Sequence, residues 1–233
     1  MSYLLSIETG LGAASLALLQ DGQCIATAEA SSAHANATET LPLAEGLLHN
    51  ASIGFGDIEA FICGIGPGSF TGIRIGLALA RGLALATNKP LIGINTLEAT
   101  AYAASLASNH HGEVLVALDA MRGQLYTQRF SCAPGTLPQP LEDAALRDAA
   151  QCAAWVAGAA ADAAFAGNAE PILSQWLERD LASRWLGGIA HAAMMGALGA
   201  AYHQAGTSTP RHPLYVRAPD AKLPTKPPVL PAS

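Results

Sequence analysis

The chain has 233 residues, of which 51% are hydrophobic and 13% charged, and its net charge is −6. That length and apolar content can bury a sizeable core in one large or two small domains, and they exclude a disordered chain. Every Lys and Arg falls at Arg74 or later, so the first third is wholly acidic, which argues against this chain clamping nucleic acid by itself.

Residues 3–8 and 13–19 read as buried strands. Asp21-Gly22 marks a tight turn, and Gln23 to Glu29 a returning strand, so the chain opens with an antiparallel meander. A helix is predicted over Thr38 to Asn50, with Pro42 in its first turn. Its side carrying Leu41, Leu43, Ala44, Leu47 and Leu48 is wider than one small sheet needs. A strand at 60–65 runs into Gly66-Pro67-Gly68-Ser69-Phe70-Thr71-Gly72, and a helix is predicted from Phe70 to Ala86. Gly72, Gly76, Ala80 and Ala84 recur along it every four residues, a small-residue ridge that lets another helix approach closely. A short strand at 91–94 precedes a helix capped by Thr96.

A second unit starts near Gly112. Residues 113–119 form a strand ending in an acid, Ala120 to Gly123 turn the chain, and 124–130 alternate as a returning strand does. This repeats the order of the opening hairpin. Helices are predicted over 144–157, 170–180 and 189–204, with a strand at 163–166. From Thr207 the chain holds seven prolines and reads as an extended tail, ordered as far as Arg217. Strand meanders followed by helix–strand alternation, twice over, predict two α/β lobes.

Cys24, Cys63, Cys132 and Cys152 form no C-x-x-C pair and read as small buried thiols of a reducing compartment. The N-terminus has no basic stretch before an apolar one. No apolar run reaches the roughly 18 residues of a membrane helix, so a cytoplasmic protein without a membrane partner is expected.

The glycine-rich turn looks at first like a phosphate cradle, because free N–H groups and a helix dipole converge there. Gly72 is followed by Ile73-Arg74 rather than Lys and Ser/Thr, so it is not a P-loop, and the glycine spacing fails the dinucleotide fingerprint. Gly66, Pro67, Gly68, Ser69 and Thr71 read instead as a structural turn. In it Ser69 or Thr71 caps the helix, and Gly68 takes a conformation closed to other residues. None of the seven histidines pair at the i, i+4 spacing, so no metal site is expected. Glu8 and Asp119 end the two equivalent strands. Either they face each other across a cleft, as a Mg²⁺-dependent kinase of such a fold would require, or they cap turns.

The run Gly66-Pro67-Gly68-Ser69-Phe70-Thr71-Gly72-Ile73-Arg74-Ile75-Gly76 resembles the signature of the bacterial TsaB (YeaZ) family, within the glycoprotease-like superfamily. Leu5 to Thr9, Asp119 to Tyr126 and Pro213 to Arg217 are similar to further segments of that family, in the same order. The resemblance implies the two-lobed actin/Hsp70/sugar-kinase (ribonuclease H-like) fold. One lobe would span 1–108, with the helix at about 189–206 returning to it; a smaller lobe would span 109–188, and a Pro-rich tail 207–233. It implies a non-catalytic subunit of the complex that installs the threonylcarbamoyl group on N6 of adenosine 37 in tRNAs reading codons that begin with A. Such a subunit stabilises TsaD and works with TsaE, reaches tRNA only through the complex, and leaves a homodimer open. It binds no cofactor alone, the ATP and the metal belonging to partner subunits. It also implies a partner interface at Leu41, Leu43, Ala44, Leu47, Leu48, Gly72, Gly76, Ala80 and Ala84, and a degenerate nucleotide cleft at Glu8, Thr9 and Asp119. The family usually has Asp at the position of Glu8 and Ser or Thr at that of Gly10. Those departures weaken the first phosphate loop. The alternatives are a small ATP/Mg-dependent kinase of the same fold and a glycoprotease-type hydrolase.

Overall fold

The computed structural model describes residues 1–178 and 181–217. Strands β1 (Tyr3–Glu8), β2 (Ser15–Gln20) and β3 (Gln23–Glu29) form the antiparallel meander, turning at Asp21-Gly22. Helix α1 (Asn36–Asn50) leads to β4 (Ile58–Gly66), which lies parallel to β1. Helix α2 (Phe70–Thr87) returns the chain to β5 (Leu91–Asn95), parallel to β4. The first sheet therefore has the order β3-β2-β1-β4-β5.

Alternation along β1 divides this sheet's two cores. Leu5 and Ile7 point to the face covered by α1 and α2, where they meet Leu47, Leu48, Leu77 and Ala80. Leu4 points to the opposite face, covered by α3 (Thr96–Ser108) and α6 (Ala192–Gln204) through Ala99, Tyr102, Met195 and Leu198. The cap of α3 is Asn95, whose side chain accepts the Leu97 N–H at 2.9 Å, and not Thr96 as the sequence predicts.

The second sheet is built on the hairpin β6 (Gly112–Asp119) and β7 (Leu125–Cys132), with β10 (Ala164–Ala166) parallel to β6. Its arrangement repeats β1, β2 and β4. Two short strands, β8 (Gln139–Pro140) and β9 (Ala145–Arg147), pair with β7. Strand β9 takes the first residues of the helix predicted over 144–157. Helix α4 (Ala149–Ala157) begins only after Asp148, whose carboxylate accepts the Gln151 N–H at 2.9 Å. Helices α4 and α5 (Glu170–Trp176) cover one face of this sheet through Trp155 and Leu173.

The other face of the second sheet rests on α3. Leu97, Ala101 and Ala104 pack on Val114, Val116 and Phe130, while Ala99 and Tyr102 of the same helix pack on the first sheet. Helix α3 is thus buried from two sides, and it fixes one lobe against the other. Two mixed sheets, each with a parallel strand beside an antiparallel hairpin, make the two-lobed actin/sugar-kinase type of fold. Helix α2 is long and apolar enough to cross a membrane, contrary to the sequence expectation; its inner face instead packs on the first sheet, and its outer face carries Arg74 and Arg81. Cys63, Cys132 and Cys152 are buried and Cys24 is exposed; burial pushes the Cys152 thiol up to about 11 and the Cys132 thiol up to about 12.

Candidate functional site

A cleft of about 810 Å³ lies between the lobes. Its walls are the turn after β1, the glycine-rich loop, the β6–β7 turn, Asn168, and the segment 214–217.

The two loops on the first-lobe side are packed back to back. The Ser69 N–H donates to the Gly10 carbonyl at 2.8 Å, and Thr9 Oγ1 donates to the Gly72 carbonyl at 2.7 Å. Ser69 caps α2, its hydroxyl accepting the Gly72 N–H at 3.2 Å. The residue with the left-handed backbone is Gly66, at φ 100°, and not Gly68. Gly68 is needed for closeness: a Cβ there would lie 2.6 Å from the Gly10 carbonyl oxygen.

This packing corrects the interface expectation for α2. A Cβ on Gly72 would overlap the Thr9 carbonyl oxygen, and one on Gly76 would overlap Thr9 Oγ1. The small-residue ridge therefore admits the protein's own first loop, and Ala80 and Ala84 continue it into the core of the first sheet. Ala44, Leu47 and Leu48 are buried in that same core, and Leu43 is half-buried against it. The wide apolar side of α1 is used up by the sheet and by α2. Of the nine expected contact residues only Leu41 is exposed. Leu85, Gly46, Ala78, Gly82 and Ala86 stand on the outward side of the two helices instead, and a Cβ on Gly46 or Gly82 would meet nothing within 4 Å.

Glu8 and Asp119 do not face each other across the cleft. Glu8 is buried and its carboxylate folds back into its own turn, where Oε1 accepts the Gly10 N–H. Its Oε2 has no hydrogen-bond partner and fills the space where a Cβ of Gly64 would be. Burial pushes the carboxyl up to about 7, against the opposing hydrogen bonds of the Gly10, Leu11 and Thr9 N–H groups. Asp119 lies in the cleft wall and accepts the Met121 N–H at 2.7 Å, while its own N–H donates to Asn168 Oδ1 at 2.8 Å. Both acids organise turns. A Cβ on Gly10 would sit 3.1 Å from Glu8 Oε1 and 3.0 Å from Ile73 Cγ1. Ile73 and the Glu8 carboxylate thus crowd the room that a side chain at position 10 would need. Among the described residues no group of His, Cys, Asp and Glu is arranged to hold a metal ion.

The sequence marked Pro213 to Arg217 as an ordered, family-like segment, but not that it bridges the two lobes. The Leu214 N–H donates to the Ile65 carbonyl at 2.8 Å in the first lobe, and Arg217 Nη2 donates to Gln124 Oε1 at 3.0 Å and to the Met121 carbonyl at 3.3 Å in the second. Between these anchors Tyr215 accepts from Arg74 Nε at 2.9 Å. Residues 214–217 therefore strap the lobes together along the cleft. Phe70 and Arg74, one helical turn apart after the glycine loop, supply the ring and guanidinium against which Tyr215 packs. Residues 218–233 of the expected tail lie outside the described residues.

A family model described as TsaD, tRNA N6-adenosine threonylcarbamoyltransferase, matches residues 22–196. The tRNA threonylcarbamoyladenosine biosynthesis protein TsaB of Escherichia coli (strain K12) is 39% identical over 127 residues, which cover 54% of this chain and 54% of that protein. The solved structure of YeaZ from Pseudomonas aeruginosa superposes with a TM-score of 0.72 at 25% identity, covering 92% of this chain and 100% of that one. The chain belongs to the TsaB (YeaZ) family. It spans about half the length of the Escherichia coli TsaB in that match. An uncharacterized protein of Mycobacterium tuberculosis (strain ATCC 25618 / H37Rv) is 30% identical over 224 residues, 95% of each chain. The match to the TsaD model fits the wider glycoprotease-like superfamily.

Proposed function

We propose that this TsaB-family chain is a non-catalytic subunit of the cytoplasmic complex that makes N6-threonylcarbamoyladenosine at position 37 of tRNA, and that it acts by binding and stabilising TsaD, with TsaE as a further partner. The name of the Escherichia coli relative, a tRNA threonylcarbamoyladenosine biosynthesis protein, supports the pathway. The observation that carries the non-catalytic role is the placement of Glu8. A kinase of this fold needs its carboxylates in the cleft to position a metal and a nucleophile. Here one of the two candidates is buried beneath the first loop and bonded to it. ATP and a metal are accordingly assigned to the partner subunits.

The outward side of α1 and α2 is the docking surface of this proposal. Leu85 is 85% exposed and Leu41 40%, and they stand beside small residues that admit a close helix. The occupant is a helical surface of TsaD; pairing with a second copy of this chain is an outcome to be distinguished by mass. The test adds the purified chain to TsaD and TsaE with tRNA, threonine, bicarbonate, ATP and the enzyme that forms threonylcarbamoyl adenylate, and reads the modified nucleoside by mass spectrometry. Modification is expected only when the chain is present. ATP turnover by the chain alone would favour the kinase reading and overturn this one.

A further inference from the structure

The mouth of the cleft carries chemistry that a scaffold does not use. The Arg74 guanidinium carbon lies 3.7 Å from the Phe70 ring centroid, and Arg74 Nε donates to the Tyr215 hydroxyl. The two rings are 5.0 Å apart and tilted by 33°. Stacking on one ring and hydrogen bonding to the other fix the guanidinium plane without covering it, since all three side chains remain exposed. Arg217 and Arg122 line the cleft beyond, where Asp119 is the one carboxylate among the described lining residues. A chain of net charge −6 thus places two arginines and two exposed rings in the lining of one opening, with Arg74 held against those rings at its edge.

Unpaired nucleotides are bound in this way: bases stack on aromatic rings or guanidinium planes, and phosphates meet arginines. A purely anionic ligand would leave the rings unused, and an apolar one would leave the arginines unused. We propose that this mouth, with Phe70, Arg74 and Tyr215 as a stacking platform and Arg217 as a phosphate contact, binds an unpaired nucleotide of an RNA chain directly. The inference rests on the proposed tRNA role for the identity of the RNA. It departs from the expectation that tRNA is reached only through the complex.

Fluorescence anisotropy of the full chain with a short labelled single-stranded RNA tests it, beside the same sequence as a duplex and beside adenosine monophosphate as competitor. The single strand is expected to bind and the duplex not to. Tyr215→Ala and Arg74→Ala should each weaken binding about tenfold, the order of one lost stacking contact. Phe70→Leu, which keeps the apolar packing, should do the same with an unchanged circular dichroism spectrum. Lys89→Ala removes an equal charge beyond the far end of α2 and should change nothing. Four outcomes overturn the proposal: no binding, equal binding of the duplex, a mononucleotide that competes as well as the RNA strand, or an equal loss from Lys89→Ala. An unmutated chain that restores tRNA modification but binds no single-stranded RNA would sink this inference alone. RNA binding without restored modification would sink the proposed function instead.

Discussion

Thr9 and Gly72 hold the two loops of the first lobe together. The threonine hydroxyl donates to the Gly72 carbonyl at 2.7 Å, and the Thr9 carbonyl oxygen occupies the space a side chain at position 72 would need. The glycine-rich turn is therefore closed by the protein's own first loop, and its small residues are spent on that closure.

Substitution on the inner ridge should unfold the protein before it touches any partner. Gly72→Ala forces a methyl group into backbone, and overpacking of this kind costs about 1–3 kcal/mol. For a chain of this size that lowers the melting temperature by roughly 2–12 °C. Gly76→Leu should be worse, because Thr9 has no free side to move to. A melting curve of Gly72→Ala that overlays the wild type would refute this packing.

The outward ridge should behave in the opposite way. Gly82→Leu meets open space and replaces a poor helix former, so the monomer should gain about 0.5–1 kcal/mol. The added bulk should at the same time abolish co-purification with TsaD. Leu85→Glu should likewise lose TsaD while leaving the melting temperature within a few degrees. Retention of TsaD by both variants would remove the docking surface.

Glu8 should make stability fall as pH rises. Its carboxyl is raised from 4.5 to about 7 in the folded chain by burial, so the folded state holds the proton more tightly than the unfolded state. The stabilisation is complete below pH 4.5 and is lost as pH climbs through 7. Its full size is roughly 3 kcal/mol. Glu8→Gln keeps an oxygen for the Gly10 N–H and removes the titration. Melting temperatures measured from pH 5 to pH 8 should decline more steeply for the wild type than for Glu8→Gln. Parallel profiles would contradict the assignment.

Arg217 should control the strap rather than the fold. Arg217→Ala removes two hydrogen bonds to the β6–β7 turn, each worth about 1 kcal/mol or less at this partly exposed site. Hydrogen exchange at Leu214 and its neighbours should speed up, while the amides of β1 and β4 stay protected. Unchanged exchange over 214–217 would show that the anchor on Ile65 suffices.

The local elements were legible in the sequence wherever a pattern has a single physical cause. The apolar runs 3–8 and 13–19, the Asp21-Gly22 turn and the alternation along 124–130 gave the hairpins, because side chains on a strand change face at every residue and a strand covered on both sides is apolar throughout. The glycine loop, and a cap at Ser69 or Thr71, were legible because turn chemistry is local; the structure chose Ser69. The misplaced features were those with two causes. A four-residue spacing of small side chains serves a partner helix or the protein's own loop equally well, and no periodicity separates Gly76 from Gly82. Thr96 and Asn95 are both good caps, and backbone geometry chose the asparagine. The segment 145–147 is apolar enough for a helix, yet the open edge of β7 claimed it as a strand.

The sequence by itself determined that this chain builds two α/β units from repeated hairpin openings, and its motif pointed to the family. Only the tertiary structure decided which side of α1 and α2 faces outward, that Glu8 lies beneath its loop and out of the cleft, and that residues 214–217 bridge the lobes. The reason is one of range. Strand alternation, caps and turns are set by neighbours a few residues apart. Burial of a carboxyl or exposure of a glycine depends on contacts such as Thr9 with Gly72, or Ile65 with Leu214, between residues far apart in the chain.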